Sequence, residues 1–394
     1  MTVKRKQSLD RVVGILLAAA LPIGIYFGAC LISDSQFASA VKTAHDTEIE
    51  VREGLWNYNA LTGREQLLYR VMHDAMEQRD EKTARISIVP TAEEFSAAFD
   101  AVLCDDPMFC DLLRDGCALM AGDNSAYVTL SYAQDGAARR QQLADTAAKL
   151  TDGLSNDETT ARLLHDSMMH CSWSSDDGEI GSTAYDALCL GRADAMGYAL
   201  AYALVCEQAG IDCTVVTGTV KSADTVGSHA WNALTLNGVT GYTDVMWNDA
   251  AASIGMDGAQ ETALPFHGYY FLSLAEMSAD HTPAYDDAFW PGAETQNYYE
   301  QQGLCISEET ELVPMLTTLL TAAQRSQTGC IEFRLESGLE LSDYALEEAL
   351  SAAISAVNQA AVGGQLLRQT NRVYHTSSDR GSITVQLFYE DINE

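Results

Sequence analysis

The dipeptide Asn237-Gly238 is the strongest local constraint on the fold, because Asn-Gly between two strand-like runs favours a two-residue hairpin turn. The runs cover residues 229–236 and 239–246. A turn at the dipeptide fixes the register between them, and in this register His229 and Asp244 are diagonal neighbours on one face. We therefore expect their backbones to lie about 7 to 8 Å apart, within reach of their side chains.

The segment before the hairpin, residues 195–208, has the pattern of a helix that stops at Gly210. A side chain at position 195 lies in the first turn, where free backbone N–H groups and the helix dipole favour an anion. A cysteine there, beside a histidine, is readily ionised to a nucleophilic thiolate. Residue 195 is alanine, which has nothing to ionise. The predicted apolar face of this helix comprises Ala195, Tyr198, Ala199, Tyr202 and Val205.

Three stretches together resemble the core of the transglutaminase-like superfamily. They are residues 191–199, 228–232 and 242–249. In that family a catalytic cysteine opens a helix just before Gly-Tyr-Ala, a histidine opens a strand, and an aspartate lies on the next strand. The resemblance covers about residues 155–282 and assigns the histidine to His229, the aspartate to Asp244, and the nucleophile position to Ala195.

The resemblance implies an α+β, papain-like core and, in an active member, chemistry on peptide or isopeptide amides. His229 is then the general base. Asp244 fixes the tautomer of the His229 imidazole and stabilises its protonated form. Cys189 is the thiol nearest to Ala195 in the sequence, and it is the alternative candidate for the nucleophile. Groove or structural support is assigned to Tyr198, Trp231, Asn232 and Trp247.

The missing nucleophile leads to three functional hypotheses. Removal of the nucleophile from a triad enzyme lowers turnover on the order of 10⁶-fold. The leading hypothesis is therefore an inactive protein that binds peptides or proteins, or that acts as a surface scaffold. The second is an active transglutaminase or cysteine peptidase, with its nucleophile mutated to Ala195 or supplied by Cys189. The third is a purely structural surface protein. We expect no cofactor or metal, and no EF-hand-type loop is present to argue for calcium.

The N-terminus predicts a membrane anchor. Residues 1–11 contain four basic side chains, and residues 12–32 form an uncharged apolar run of the length that spans a bilayer, in which Pro22 introduces a kink. The basic flank predicts a cytoplasmic N-terminus and a single-pass protein whose remainder is extracytoplasmic. Two alternatives are a signal peptide cleaved at residues 38–40, which gives a secreted protein, and a lipoprotein whose cleavage box ends at Cys30.

The net charge limits which partners the protein can bind, and the cysteine content indicates whether disulfides are expected. A net charge of −33 argues against binding to nucleic acid, because phosphates are repelled. Ten cysteines in an exported chain predict some disulfides, with the cluster of Cys104, Cys110 and Cys117 as either a disulfide or buried thiols. A peptide or protein ligand and the membrane remain as expected partners, and the oligomeric state stays open.

Helix and strand signals divide the chain around the core. An N-terminal α+β module with a linker helix is predicted for residues 48–150, and a C-terminal α+β module for residues 304–394. The C-terminal module is expected to end in one strand at 383–389, and residues 283–303 to serve as a linker or lid. Capping boxes are predicted at Thr62 and Glu65, at Thr91 and Glu94, and at Ser155 and Glu158.

Overall fold

The fold is described by a computed structural model. It describes residues 48–169, 171, 181–222, 225–253, 266–285, 297–361, 365–369, 372–375 and 381–391. The predicted anchor at 12–32, its basic flank and both alternative cleavage sites lie outside this part of the chain. Among the helices that are described, none is both long enough and apolar enough to span a membrane.

The N-terminal module packs two longer helices against a small hairpin. Its elements are α1 (Trp56–Ala60), α2 (Gly63–Gln78), α3 (Ala92–Asp105), β1 (Ala118–Ala121) and β2 (Ala126–Thr129). The capping boxes at Thr62 and Thr91 are both confirmed. Outside the hairpin, Ile86 forms an isolated antiparallel bridge with Ala126. Tyr58, Leu68, Met72 and Val102 are fully buried in the core of this module.

A linker helix joins the N-terminal module to the core, as predicted. This helix, α4 (Gly136–Thr151), buries Leu143 and Ala147 in the central apolar cluster. The next helix, α5 (Glu158–Ser167), does not begin with the predicted box at Ser155. The side chain of Asp157 caps it instead by accepting a hydrogen bond from the Thr160 N–H at 2.8 Å, and Ser155 supports that carboxylate.

The core combines helices with one antiparallel sheet. Its further elements are α6 (Ala184–Leu190), α7 (Ala195–Gln208), β3 (Asp212–Ser222), β4 (Thr225–Leu236), β5 (Val239–Thr243), α8 (Val245–Ser253), α9 (Leu274–Met277) and β6 (His281–Pro283). Helix α7 has the predicted bounds, and Gly210 follows it with φ of 79°. The single apolar face expected for α7 was too narrow, because every residue from Gly197 to Cys206 is buried.

The hairpin turn and its register are confirmed, but the second strand is shorter than predicted. Asn237 and Gly238 both have positive φ, and Leu236 pairs with Val239. Strand β5 ends at Thr243 and the chain turns into α8, because Asp244 accepts a hydrogen bond from the Trp247 N–H at 2.9 Å and so caps the helix.

The four-stranded sheet has the order β5-β4-β3-β6, and all neighbours are antiparallel. Helix α7 packs on one face, where Asn232 Nδ2 donates to the Ala199 carbonyl at 2.8 Å. Trp231 alternates to the opposite face and packs there with Tyr242, Tyr269 and Leu272. The core sheet is therefore covered by a helix on one side and by an aromatic cluster on the other.

The C-terminal module is also α+β. Its elements are α10 (Tyr298–Gln301), β7 (Cys305–Ile306), α11 (Leu312–Ser326), β8 (Cys330–Leu335), α12 (Asp343–Ala360), β9 (Gln365–Leu367), β10 (Arg372–His375), β11 (Ser382–Gln386) and β12 (Tyr389–Asp391). One sheet has the order β10-β11-β8-β7, and β12 pairs with β9 in another. The single strand predicted at 383–389 is thus two strands in two sheets, divided after Gln386.

The predicted disulfides are absent from the described residues, in which all nine cysteines are free thiols. Cys104 and Cys110 are buried and pack as small apolar side chains in the cluster around α7. Buried thiols were one of the two alternatives predicted for this segment. They are confirmed for Cys104 and Cys110, whereas Cys117 is only partly buried.

Candidate functional site

The first turn of α7 is built around the side chain of Asp194. One carboxylate oxygen accepts the Gly197 N–H at 2.9 Å, and the other accepts the Ser182 hydroxyl at 2.5 Å. Position 197 has room only for glycine, because a Cβ there would collide with the Gly181 carbonyl oxygen. Ala195 is the first residue of the helix and is partly buried. The turn therefore already holds one anion, and residue 195 adds only a methyl group.

His229 and Asp244 meet beside the hairpin. The Nε2 of His229 lies 2.6 Å from Oδ2 of Asp244, and both side chains are at most 5% exposed. Asp244 follows β5 rather than lying on it, and its other oxygen caps α8. Burial alone raises the pKa of the Asp244 carboxyl, but the charges and hydrogen bonds of His229 and His281 outweigh burial and hold it below its usual range. Asp244 is therefore a carboxylate that accepts from the imidazole.

A second histidine, His281, contacts the same carboxylate oxygen. Its Nε2 lies 3.0 Å from Asp244 Oδ2, and its Nδ1 lies 2.6 Å from Asp280 Oδ1. Burial lowers the pKa of His281, but its hydrogen bonds to Asp244 and Asp280 outweigh burial and raise the pKa above its usual value. Sequence reasoning missed this residue, because His281 reaches the site only through the pairing of β6 with β3.

The predicted support residues divide between the two faces of the sheet. Trp231 and Trp247 surround the histidines, with ring centroids 4.9 Å and 4.8 Å from that of His281. Asn232 faces α7, and Tyr198 hydrogen-bonds Asp249 and the Cys171 carbonyl. The structure thus places the two tryptophans beside His229, and Asn232 and Tyr198 in the packing around α7.

Comparison with protein families identifies this region. The model of the transglutaminase-like superfamily matches residues 144–247, which contain α7, the hairpin, His229 and Asp244. The chain carries a transglutaminase-like domain. No curated protein matches the chain. His281 lies outside the matched residues, although it completes the same side-chain cluster.

Cys189 of the transglutaminase-like domain does not have the environment of a nucleophile. It lies on α6, and its Sγ is 3.6 Å from the Thr146 hydroxyl on α4. Burial raises the pKa of its thiol, so the thiolate is disfavoured. The thiol of Cys171, whose backbone carbonyl accepts from Tyr198, has its pKa raised to about 12 by burial and by the charge of Asp249. Neither thiol resembles an activated cysteine.

A second histidine cluster joins the transglutaminase-like domain to the C-terminal module. His267 lies between two carboxylates, with Nε2 2.9 Å from Asp166 Oδ1 and Nδ1 2.6 Å from Glu332 Oε2 on β8. His165 Nδ1 also contacts Asp166 Oδ1, at 3.0 Å. Burial lowers the pKa of His267, but both carboxylates outweigh it and raise the pKa to about 9. His267 is therefore a buried cation at neutral pH, and sequence reasoning did not identify this cluster.

A cavity of about 900 Å³ lies between the transglutaminase-like domain and the N-terminal module. It reaches the first turn of α7 at Asp194 and Met196, and its lining from the N-terminal module includes Arg114 and Ser131. Among the described residues, neither His229 nor Asp244 lines it. Five carboxylates and one guanidinium line it, which makes the cavity acidic. The carboxylates are Asp100, Asp106, Asp115, Asp186 and Asp194.

Proposed function

We propose that this chain is a catalytically silent transglutaminase-like protein that binds a basic peptide or protein segment in the acidic cavity beside α7. The observation that carries the proposal is the acidic cavity at the first turn of α7, which is lined by Asp194 and Met196, the residues on either side of Ala195 in the sequence. Ala195 stands at the nucleophile position of the family, so the turn beside the cavity lacks the atom that performs covalent catalysis.

Loss of catalysis is supported by the thiols around α7. The methyl group of Ala195 cannot attack a carbonyl carbon, and the loss of a nucleophile lowers turnover on the order of 10⁶-fold. Cys189 is directed at Thr146, and burial raises the pKa of its thiol. The His229–Asp244 pair then holds the hairpin and α8 together, because Asp244 also caps that helix.

A basic ligand is supported by the charges that line the cavity. Asp100 pairs with Arg114, and Asp106 lies 3.5 Å from His73, whereas Asp115 is exposed. The carboxylates outnumber the one guanidinium, and the whole chain has a net charge of −33. A cationic ligand is therefore attracted both by the cavity and by the wider field of the protein.

Binding is tested with two labelled peptides of equal length, one rich in Lys and Arg and the other in Asp and Glu, by fluorescence anisotropy with the full chain. We expect only the basic peptide to bind, and Met196→Trp to weaken binding because the larger ring fills the cavity. Leu163→Trp is the matched control, since Leu163 is exposed on α5 and lies outside the cavity. Equal binding of both peptides, or full binding by Met196→Trp, contradicts the proposal.

The proposal includes a membrane anchor at residues 12–32, with the folded part outside the cytoplasm. It is supported by the length of the apolar run and by its basic flank. Fractionation of cells that express the full chain tests the anchor: we expect release by detergent and not by high salt. A protein recovered from the medium with an N-terminus created at residues 38–40 favours the secreted alternative.

The retained hydrogen bond between His229 and Asp244 favours an active enzyme as the second candidate. Such an enzyme takes its nucleophile from another residue or has lost it through a single change at Ala195. Amide turnover by the full chain that Cys189→Ala abolishes supports this candidate, whereas the absence of turnover supports the silent protein.

A further inference from the structure

We propose that His229, Asp244 and His281 form a binding site for a divalent transition-metal ion, with Zn²⁺ as the ion that fits best. The inference goes beyond the proposed function, because the cavity that receives the peptide is lined by other residues.

Three potential ligand atoms converge at the site. The Nε2 atoms of His229 and His281 lie 2.6 Å and 3.0 Å from Oδ2 of Asp244, and all three lie within 4.8 Å of one another. In a tetrahedral zinc site with bonds of about 2.0 to 2.2 Å, ligand atoms are about 3.3 Å apart. To surround an ion in place of the two shared protons, Nε2 of His229 needs to move about 0.7 Å, and Nε2 of His281 about 0.3 Å, away from Asp244 Oδ2.

The atoms that point away from this centre are held by other groups. Asp244 Oδ1 accepts the Trp247 N–H at 2.9 Å, which leaves Oδ2 for a metal. Asp280 accepts from His281 Nδ1 and in turn receives the Tyr269 hydroxyl at 2.9 Å. A proton fixed on Nδ1 leaves the Nε2 lone pair of a neutral His281 free to coordinate. This carboxylate–histidine arrangement is the usual outer shell of a protein zinc ligand.

The cluster at His165, Asp166 and His267 has the same composition but the wrong proton arrangement. Asn248 Oδ1 accepts the Tyr269 N–H, so its Nδ2 donates to His165 Nε2 at 2.9 Å. His165 must then be protonated on Nδ1, the atom that faces Asp166. The imidazole of His165 therefore offers no lone pair to the centre. His267 is left as the single histidine of this cluster able to coordinate an ion, and it contacts a carboxylate with each ring nitrogen, as His281 does. This cluster is a built-in negative control.

Two imidazoles and one carboxylate are a donor set that suits Zn²⁺, whereas Mg²⁺ and Ca²⁺ prefer oxygen ligands throughout. Three protein ligands leave a fourth position for water. Access is from the side of His229, whose side chain is 5% exposed, while those of Asp244 and His281 are 1% and 0% exposed.

Metal binding is measured on the full chain by titration with Zn²⁺ in a calorimeter and with Co²⁺ in a spectrophotometer. Co²⁺ is needed because the chain has free thiols, and thiolate ligands add charge-transfer bands that nitrogen and oxygen ligands do not. We expect one ion per chain, a visible Co²⁺ spectrum without thiolate bands, and a higher melting temperature in Zn²⁺.

Variants assign the ligands. His281→Gln removes one ligand and should abolish the spectrum, whereas Asp280→Asn perturbs only the outer shell and should weaken binding about 10- to 100-fold. Asp280→Asn keeps the test decisive if His281→Gln does not fold. His165→Gln, in the second cluster, should bind as the original chain does. Absence of stoichiometric binding, thiolate bands, unchanged binding in both His281→Gln and Asp280→Asn, or loss of binding in His165→Gln overturns the proposal.

Discussion

The imidazole of His229 lies 2.6 Å from the carboxylate of Asp244, although the two residues are on opposite sides of a hairpin turn. The histidine and the aspartate that the family resemblance assigns to a triad are thus in contact, while residue 195 is an alanine. Because Asp244 also caps α8 and receives His281, the pair has a structural role that does not depend on catalysis.

Replacement of Asp244 should destabilise the protein strongly. Asp244→Asn removes the buried negative charge that His229 and His281 both contact, and loss of one member of a buried pair costs about 3 to 5 kcal/mol. Urea denaturation in the presence of a chelator measures the loss. Asp123→Asn, at an exposed position, is the control and should unfold like the original chain. Equal stability of the two variants would show that the buried carboxylate has no structural role.

The stability of the fold should fall as the pH rises from about 6.5 to 9. The pKa of His267 is raised to about 9 in the folded state, so the protonated form is favoured by folding. The stabilisation is complete below the unfolded pKa of about 6.5 and is lost as the pH passes the folded pKa; it is on the order of 3 kcal/mol. Thermal melts across this range should show the loss.

His267→Gln is the control for this pH dependence. The variant should be less stable than the original chain at pH 6.5, and the two should converge above about pH 9, because His267 loses its proton as the pH passes its folded pKa of about 9. Parallel pH profiles of the two proteins would contradict a cationic His267 between Asp166 and Glu332.

Gly197→Ala should reverse the usual effect of this substitution in a helix. Alanine normally stabilises a helix interior by about 0.5 to 1 kcal/mol relative to glycine. A Cβ at Gly197 collides with the Gly181 carbonyl, so we expect destabilisation of about 1 to 3 kcal/mol. Gly227→Ala is the control, because nothing lies within 4 Å of its Cβ position. A stabilised Gly197→Ala variant would refute the close packing of this turn.

The sequence predicts the parts of the fold that local signals specify. The bounds of α7 follow from its apolar pattern and Gly210, and the hairpin register follows from Asn237-Gly238. The predicted end of β5 was wrong because Asp244 suits both a strand position and the N-terminal cap of a helix. In the structure it caps α8, so the strand ends before it.

The long-range parts of the site could not be predicted in the same way. His281 reaches Asp244 because β6 pairs with β3, and the pairing of His267 with Glu332 spans 65 residues. No local pattern encodes either contact. The prediction of disulfides from the cysteine count was wrong for a related reason. The spacing of cysteines in the sequence does not distinguish thiols that pack in an apolar core from cysteines that form disulfides.

The affinity of the acidic cavity for a basic peptide should fall with ionic strength. Charges that are exposed or partly exposed are screened over about 10 Å at 0.1 M salt, so the dissociation constant should rise as salt is added. Asp115→Asn should weaken binding about twofold to fivefold, because one exposed ion pair contributes up to about 1 kcal/mol. Asp123→Asn, which lies outside the cavity, should leave the affinity unchanged. Binding without salt dependence would exclude charge as its basis.

The central claim, a transglutaminase-like site without its nucleophile, is tested most directly by thiol labelling near neutral pH. An electrophilic probe is applied to the original chain, to Cys189→Ala and to Ala195→Cys. We expect fast labelling only in Ala195→Cys, because a thiol in the first turn of α7 lies at the helix N-terminus, where the backbone N–H groups and the helix dipole favour the thiolate. Fast labelling of the original chain that is lost in Cys189→Ala would contradict the claim and identify Cys189 as the nucleophile of an active enzyme.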